Sequence, residues 1–436
     1  MKSPPISVDF SSFGAPKAAL AASAKKLQPY ISELGQVVEG RNWEHPAASI
    51  LLADETHYLA QSMALAHRIG KPNLLIVVGI GGSNLGALAV SQAVLGPYHN
   101  LLHPDNQLVF ADTVDAPSVS AVLSLAHACR ERGGSVVINV ISKSGATLET
   151  QALFTLLRYS LGGLKPSHII VTSDEGSAFE RQAEKAGWSF LPIPKAVGGR
   201  YSVFSSVGIF PLLLMGIDAQ ELLAGALAMR EKCLSPHVQQ NPAMQMAAGL
   251  HYHRAAGRTI HDHFVFSNSL DSAGKWYRQL MAESLGKEHD AGGKRRVHAG
   301  ITPTSSTGST DLHSMVQLYL AGPADKTFRF VHVSSFPSDP RTPKDERLEA
   351  LVPHAGGRSM GELMGAILSG TQTAFRSRHI PFADVSLPSL SPHCMGQMMQ
   401  MEMIETMLLA KLANVNAFDQ PAVEEYKKET RKRLSK

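Results

Sequence analysis

Short apolar, β-branched runs alternate with longer amphipathic stretches over the first half of the chain. The run Asn73-Leu-Leu-Ile-Val-Val78, flanked by Pro72 and Gly79, has the pattern of a strand buried on both faces that feeds a loop and then a helix. The pattern recurs. Strands are predicted at 107–111, 135–141 and 168–172, with helices after Ala116-Pro117-Ser118, over 147–159 and over 177–186. Upstream, 17–40 and 46–68 read as two amphipathic helices. Beyond Gly198-Gly199 follow a helical stretch to about residue 256, a strand at 260–267, a helix at 272–283 and a strand at 328–333. The proline-rich piece 335–343 reads as a loop. Met395, Met399, Met403 and Met407 recur at steps of four, a helical stripe suited to a core or a subunit contact. The charged tail 424–436 reads as a helix that is mostly solvated, with Lys427 the expected exception. Alternating strands and helices predict an α/β protein with a doubly wound, mostly parallel sheet. The expected division is a helical N-terminal extension (1–50), a first α/β domain (51–200) and a second with C-terminal helices (201–436).

Composition narrows the function classes. A length of 436 residues, 44% hydrophobic and 18% charged, suits a globular chain of two to three domains and excludes a disordered one. The net charge of +4 is too small for a nucleic-acid footprint. Cys129, Cys233 and Cys394 form no C-x-x-C pair, and an odd count fits a reduced compartment. Pro4 and Pro5 stand where a signal peptide needs its apolar run, and no apolar stretch reaches the ~20 residues that span a bilayer. The expectation is a soluble cytoplasmic protein with neither a membrane nor a nucleic acid as partner.

Six polar segments could carry chemistry. Gly79-Ile-Gly-Gly-Ser-Asn-Leu-Gly86 follows a strand, but Asn84 stands where a dinucleotide fingerprint needs glycine, and no Gly-Lys-Ser/Thr closes a Walker loop. What remains is a turn at Gly82 and Ser83 that lets a ligand approach the backbone, with a tight structural turn as the equal alternative. In Ile141-Ser-Lys-Ser-Gly-Ala-Thr-Leu-Glu149, the residues Ser142, Lys143, Ser144 and Thr147 gather at a helix N-terminus. Hydroxyls and free N–H groups there favour a phosphate; a well-capped helix is the plain alternative. Gly198-Gly-Arg-Tyr-Ser-Val-Phe-Ser205 can bring Arg200 to a ligand. Gln279 and Glu283, four apart, share a helix face. Gly308–Met315 carries His313, and Asn416-Ala-Phe-Asp-Gln-Pro leads to Lys427. His261 and His263 would share one face of a strand, read as an exposed face rather than a metal site, as no third ligand is near.

Taken together, these six segments resemble the glucose-6-phosphate isomerase (phosphoglucose isomerase) family in its compact bacterial form, from about residue 70 to the end. The resemblance implies two sugar-isomerase (SIS) domains, each an α/β/α sandwich around a mostly parallel sheet. It implies aldose–ketose isomerisation of glucose 6-phosphate and fructose 6-phosphate with no metal or organic cofactor. Glu283 matches the base, Arg200 the cation beside the developing enediolate, and His313 with Lys427 the ring-opening pair. Spacing from Pro421 favours Lys427 over Lys428. Ser142, Lys143, Ser144 and Thr147 match the phosphate loop, Gly82 and Ser83 the first sugar-binding turn, and Gln279 a substrate-contacting glutamine. Glu149 matches a carboxylate that orients the histidine. That histidine comes from the neighbouring subunit, so a homodimer with shared sites is implied. Ala146 and Leu148 depart from the family's threonines, and Ala417 and Ala422 from its Pro and Gly. A sensor that binds sugar phosphates without catalysis ranks lower, because Glu283, His313 and Lys427 are all present. Tyr201, where a threonine would favour mannose 6-phosphate, points to strict glucose/fructose use.

Overall fold

A computed structural model describes residues 4–435. Residues 1–3, part of the N-terminal stretch read above as unlike a signal peptide, and Lys436 lie outside the described residues. The chain opens with β1 (Ser7–Asp9), α1 (Lys17–Glu39) and α2 (Thr56–Ile69). Then come β2 (Leu74–Val78), α3 (Leu85–Leu95), a single turn α4 (His99–Leu102), β3 (Gln107–Ala111) and α5 (Ala116–Glu131). They are followed by β4 (Val136–Ile141), α6 (Leu148–Ser160), β5 (Ile169–Asp174), α7 (Ala178–Ala186) and β6 (Ser189–Ile193). The five strands β2 to β6 form one parallel sheet in the order β3-β2-β4-β5-β6. Every residue of β2 and β4 is buried because apolar layers cover both faces, which is why β2 reads as an unbroken apolar run and β4 as one interrupted only by Asn139. The strand order reverses about β2. The loops leaving the C-terminal ends of β2 and β4 therefore flank the crevice where ligands bind in open α/β sheets.

Three helices, α8 (Ser206–Leu214), α9 (Ala219–Cys233) and α10 (Pro242–Ala255), stand where the sequence suggests one helical stretch. The second sheet draws on β7 (Ile260–Val265), β10 (Thr302–Thr307), β11 (Lys326–Val333) and β12 (Phe382–Leu387). Between them lie α11 (Asp271–Leu285), the hairpin β8 (Lys287–His289) and β9 (Arg296–Ala299), α12 (Val316–Ala321), α13 (Glu346–Leu351) and α14 (Met360–Ser377). Its order is β1-β12-β11-β7-β10, parallel except for β1 at the edge. The N-terminal residues expected to be helical thus also supply a strand to the second sheet.

The chain closes with α15 (Pro392–Leu412) and α16 (Val423–Leu434). Every α15 residue from 394 to 410 is buried, the methionine stripe included, so this helix is core on all sides. Helix α16 buries no residue. The helix expected at 46–68 is a 3-10 segment (Ala48–Asp54) followed by α2, whose first turn Glu55 caps through the His57 N–H.

The His261/His263 reading needs correction. The two do share a face, but both are fully buried. Alternation along β7 and β11 turns His261, His263 and Arg329 toward α11 and α15, and sends Phe264, Phe328 and Phe330 into an aromatic cluster with Phe375 and Phe382. Both faces of this sheet are covered, so the polar face is interior. Among the described residues, no group of three or more His, Cys, Asp or Glu is arranged to hold a metal.

Candidate active site

The glycine turn, the Gly198-Gly-Arg loop and the C-terminal end of α11 meet in one place. Gly82 lies so close to the Gly199–Arg200 peptide that an added Cβ would sit 2.1 Å from the Gly199 carbonyl carbon. Gly81, at φ +62°, faces the Gln279 side-chain amide. Only glycine permits this approach of two backbones and a side chain. Asn84, which breaks the dinucleotide pattern, donates to Asp112 at 2.8 Å.

Arg200 is nearly fully buried and its guanidinium nitrogens are all engaged. Nε donates to Ser284 Oγ (2.8 Å), and Nη1 donates to Glu283 Oε2 (3.2 Å) and to Gln420 Oε1. Nη2 donates to the carbonyls of Ala417 and Asp419. This draws the Phe418-Asp-Gln-Pro421 segment onto the site. Gln279 Nε2 donates to the other carboxylate oxygen of Glu283 at 3.0 Å, as the four-residue spacing predicts. The Glu283 side chain is 28% exposed against 2% for Arg200. The carboxylate therefore reaches solvent while bonded from behind by a buried, multiply hydrogen-bonded cation.

Sequence reasoning missed three supporting residues. Ser284 accepts from Arg200 and bonds the Tyr201 hydroxyl at 2.9 Å. Burial pushes the Tyr201 phenol up and keeps it neutral. The Lys287 ammonium donates to the Glu283 and Asp419 carbonyls, and burial together with nearby Arg200 holds its pKa below the usual lysine value. Tyr201 lies inside the quoted Gly198–Ser205 segment and Ser284 and Lys287 just beyond Glu283 in the chain, but only the contacts give them a role.

The loop after β4 lies beside this cluster. Ser142 and Thr147 bond each other at 3.1 Å, Ser144 accepts from the Ala146 N–H, and Gly145 takes φ +69°. The Lys143 ammonium turns inward and donates to the carbonyls of Lys195 (2.6 Å) and Val197 (3.0 Å). It thus ties this loop to the segment leading into Gly198-Gly-Arg, and burial lowers its pKa. Ser83 ends the short 3-10 turn Gly81–Ser83 ahead of α3.

His313, Lys427 and Glu149 stand apart. Among the described residues, none of them hydrogen-bonds or ion-pairs with Arg200, Gln279 or Glu283 in this protomer. His313 is exposed at the end of the turn Thr310–His313. Lys427 on α16 pairs with Glu424 at 2.7 Å, and Glu149 lies in the first turn of α6.

Fold and site together give an α/β protein with a carboxylate, backed by a buried arginine, beside the first sheet. The family model described as phosphoglucose isomerase matches residues 68–326, more than half of the chain. Glucose-6-phosphate isomerase of Rubrobacter xylanophilus is 35% identical over 406 residues, 90% of each chain. That of Thermus thermophilus is 34% identical over 370 residues, 83% of each. A solved hypothetical protein, also of Thermus thermophilus, superposes with a TM-score of 0.84 at 29% identity, over 99% of this chain and 100% of that one. A solved glucose-6-phosphate isomerase from Chlamydia trachomatis shares the fold, with a TM-score of 0.80 at 19% identity over 99% and 88%. The chain belongs to the phosphoglucose isomerase family of aldose–ketose isomerases, whose reaction serves glycolysis and gluconeogenesis.

Proposed function

We propose that this chain interconverts glucose 6-phosphate and fructose 6-phosphate with Glu283 as the base. The carrying observation is a carboxylate open to the cleft with both oxygens held, one by Arg200 and one by Gln279. Glu283 takes the proton from C2 of the open-chain aldose and returns it to C1. The enediolate formed in between carries negative charge on oxygen beside the fixed Arg200 guanidinium, which stabilises it more than the neutral sugar. Ser142, Ser144, Thr147 and the N–H groups opening α6 take the phosphate, with Gly82 and Ser83 against the sugar. Lys143 supports the loop from within. Anchoring the remote phosphate orients the reacting carbons.

His313 and Lys427, with Glu149 behind the histidine, open the sugar ring. Topology supports their arrival from a partner subunit. Thr307 bonds Asp271 at 3.2 Å and Asp311 caps the Thr307 N–H, so His313 lies near the start of α11. Glu283 is twelve residues further along the helix, about 18 Å at 1.5 Å per residue. Within one protomer the two are too far apart to share a substrate, and a homodimer with shared sites resolves this. The same reading places the active site between domains 51–200 and 201–436, in a cytoplasmic enzyme whose three buried cysteines are unpaired.

Fructose 6-phosphate conversion, coupled to glucose-6-phosphate dehydrogenase in the presence of EDTA, tests the reaction. Glu283→Gln is expected to lower kcat by about 10²–10⁴-fold while fructose 6-phosphate still binds. Retained turnover in that variant would overturn the base assignment.

A further inference from the structure

Helix α11 is held by directional bonds at two points on one stripe. Ser284 is gripped by Arg200 and Tyr201 near the C-terminal end. Seven residues earlier, and so on nearly the same face, Tyr277 donates from its hydroxyl to Glu405 Oε1 of α15 at 2.8 Å. Burial pushes the Tyr277 phenol well above its ordinary pKa, so it remains a neutral donor. Glu405 belongs to a cluster with no access to solvent. Arg329 of β11 bridges it to Glu402, donating to Glu402 at 2.6 Å, and lays its guanidinium on the Tyr277 ring with Cζ 4.6 Å from the centroid. His263 of β7 bonds Glu402 at 2.8 Å, and its ring centroid is 4.9 Å from that of Tyr277. All five side chains are fully buried, and the isomerisation described above uses none of them.

Such a cluster is a poor way to gain stability. Desolvating two carboxylates and a guanidinium costs as much as, or more than, their attraction returns, and apolar residues of similar volume often do better. What a cluster adds is direction. Apolar packing tolerates small rotations of a helix, whereas a hydrogen bond weakens steeply with angle. We propose that the Arg329–Glu402–Glu405–His263 cluster positions the catalytic base, fixing through the Tyr277 hydroxyl the rotation of α11 about its axis and hence the aim of the Glu283 carboxylate. The proposal rests on the reading of Glu283 as the base. A rotation of about 10° moves a group carried about 6 Å from the helix axis by about 1 Å, and a displacement of that size can cost about 10²-fold in rate. Tyr277 and the four cluster residues are positioning residues, since none touches the cleft.

The test is Tyr277→Phe, which removes one hydroxyl and keeps the ring, with Glu405→Gln as a second variant that keeps the shape and a carbonyl acceptor. The readouts are kcat and KM for fructose 6-phosphate, the primary isotope effect with C2-deuterated glucose 6-phosphate, and the thermal midpoint. Tyr277→Phe is expected to lower kcat about tenfold or more with KM within about twofold, and to raise the isotope effect as proton transfer becomes limiting. Phe375→Leu, in the aromatic cluster on the opposite face of the sheet, is the control. It should lower the midpoint and leave kcat and the isotope effect unchanged. If the Tyr277 and Glu405 variants lose only stability, as the control does, the proposal is overturned. Glu283→Gln runs alongside. An inactive Glu283→Gln with an unaffected Tyr277→Phe defeats this proposal alone, whereas an active Glu283→Gln defeats the base assignment beneath it.

Discussion

Arg200 reaches five acceptors from a buried position, and no other cation could replace it there. Lysine offers one ammonium in place of the planar fork, which cannot reach Ser284, Glu283, Gln420 and the Ala417 carbonyl together. Arg200→Lys should therefore lower kcat/KM by about 10²–10³-fold, the range for losing a charge-stabilising donor, measured in the coupled assay. Glu405 supports a second prediction at this scale. Burial, reinforced by Glu402, lifts its pKa from 4.5 to about 7 against the pull of Arg329. Arg329 of β11, Tyr277 of α11, Cys233 of α9 and Glu402 of its own helix are the ionisable groups around it. A carboxyl raised in the folded state contributes stability below its unfolded pKa and loses that contribution as pH rises through the folded value. Wild-type stability should thus fall between pH 4.5 and about 7 through this group. Urea unfolding of Glu405→Gln should show a flatter profile over that window. At the residue scale the sequence revealed, through spacing, that Gln279 and Glu283 share a helix face, as their hydrogen bond shows. It did not reveal the direction of Lys143, whose ammonium turns inward to carbonyls 52 and 54 positions away.

Elements follow the sequence where burial is uniform and depart from it where polar residues have partners in the fold. Strand β2 is apolar throughout, and β4 is apolar but for Asn139, whose amide donates to Thr172 Oγ1 of β5 at 3.0 Å; both are buried on two faces and stand where the pattern predicts. Strand β10, Thr-Pro-Thr-Ser-Ser-Thr, has no apolar pattern. It lies at the sheet edge, where proline is tolerated, and its Thr304 and Ser306 hydroxyls donate to buried Asp262 at 2.5 and 3.0 Å. Close approaches between elements rest on glycines. A Cβ on Gly396 of α15 would lie 2.0 Å from the Leu222 carbonyl oxygen of α9, and one on Gly225 would lie 2.0 Å from that of His393. Gly396→Ala should force these helices apart and cost about 1–3 kcal/mol or more in denaturant unfolding. Gly82→Ala should leave far-ultraviolet circular dichroism unchanged, because only a turn is displaced, and remove most activity by pushing back the Gly199–Arg200 peptide.

The whole molecule joins residues from two sheets, and the isolated chain does not bring every expected group together. Glu283 and His313 lie toward opposite ends of α11, so a shared site makes a quantitative prediction. Mixing inactive His313→Ala with inactive Glu283→Gln, unfolded together and refolded, should restore about a quarter of wild-type sites, because half of the random dimers each hold one intact site. No recovery, with dimers present, would mean that both residues act within one protomer.

The sequence by itself determined the α/β class, four of the first sheet's five strands (all but β6), the six segments and the family they belong to. All of these depend on periodicity or on residues close in the chain, where spacing fixes which side chains share a face. Tertiary structure alone decided that Gly82 packs on Gly199, that Arg200 gathers Ser284 and the Phe418-Asp-Gln-Pro421 segment, and that His261 and His263 are interior. These are contacts between distant segments. Whether a strand face meets water or another layer depends on what the rest of the chain lays over it, and no local pattern contains that.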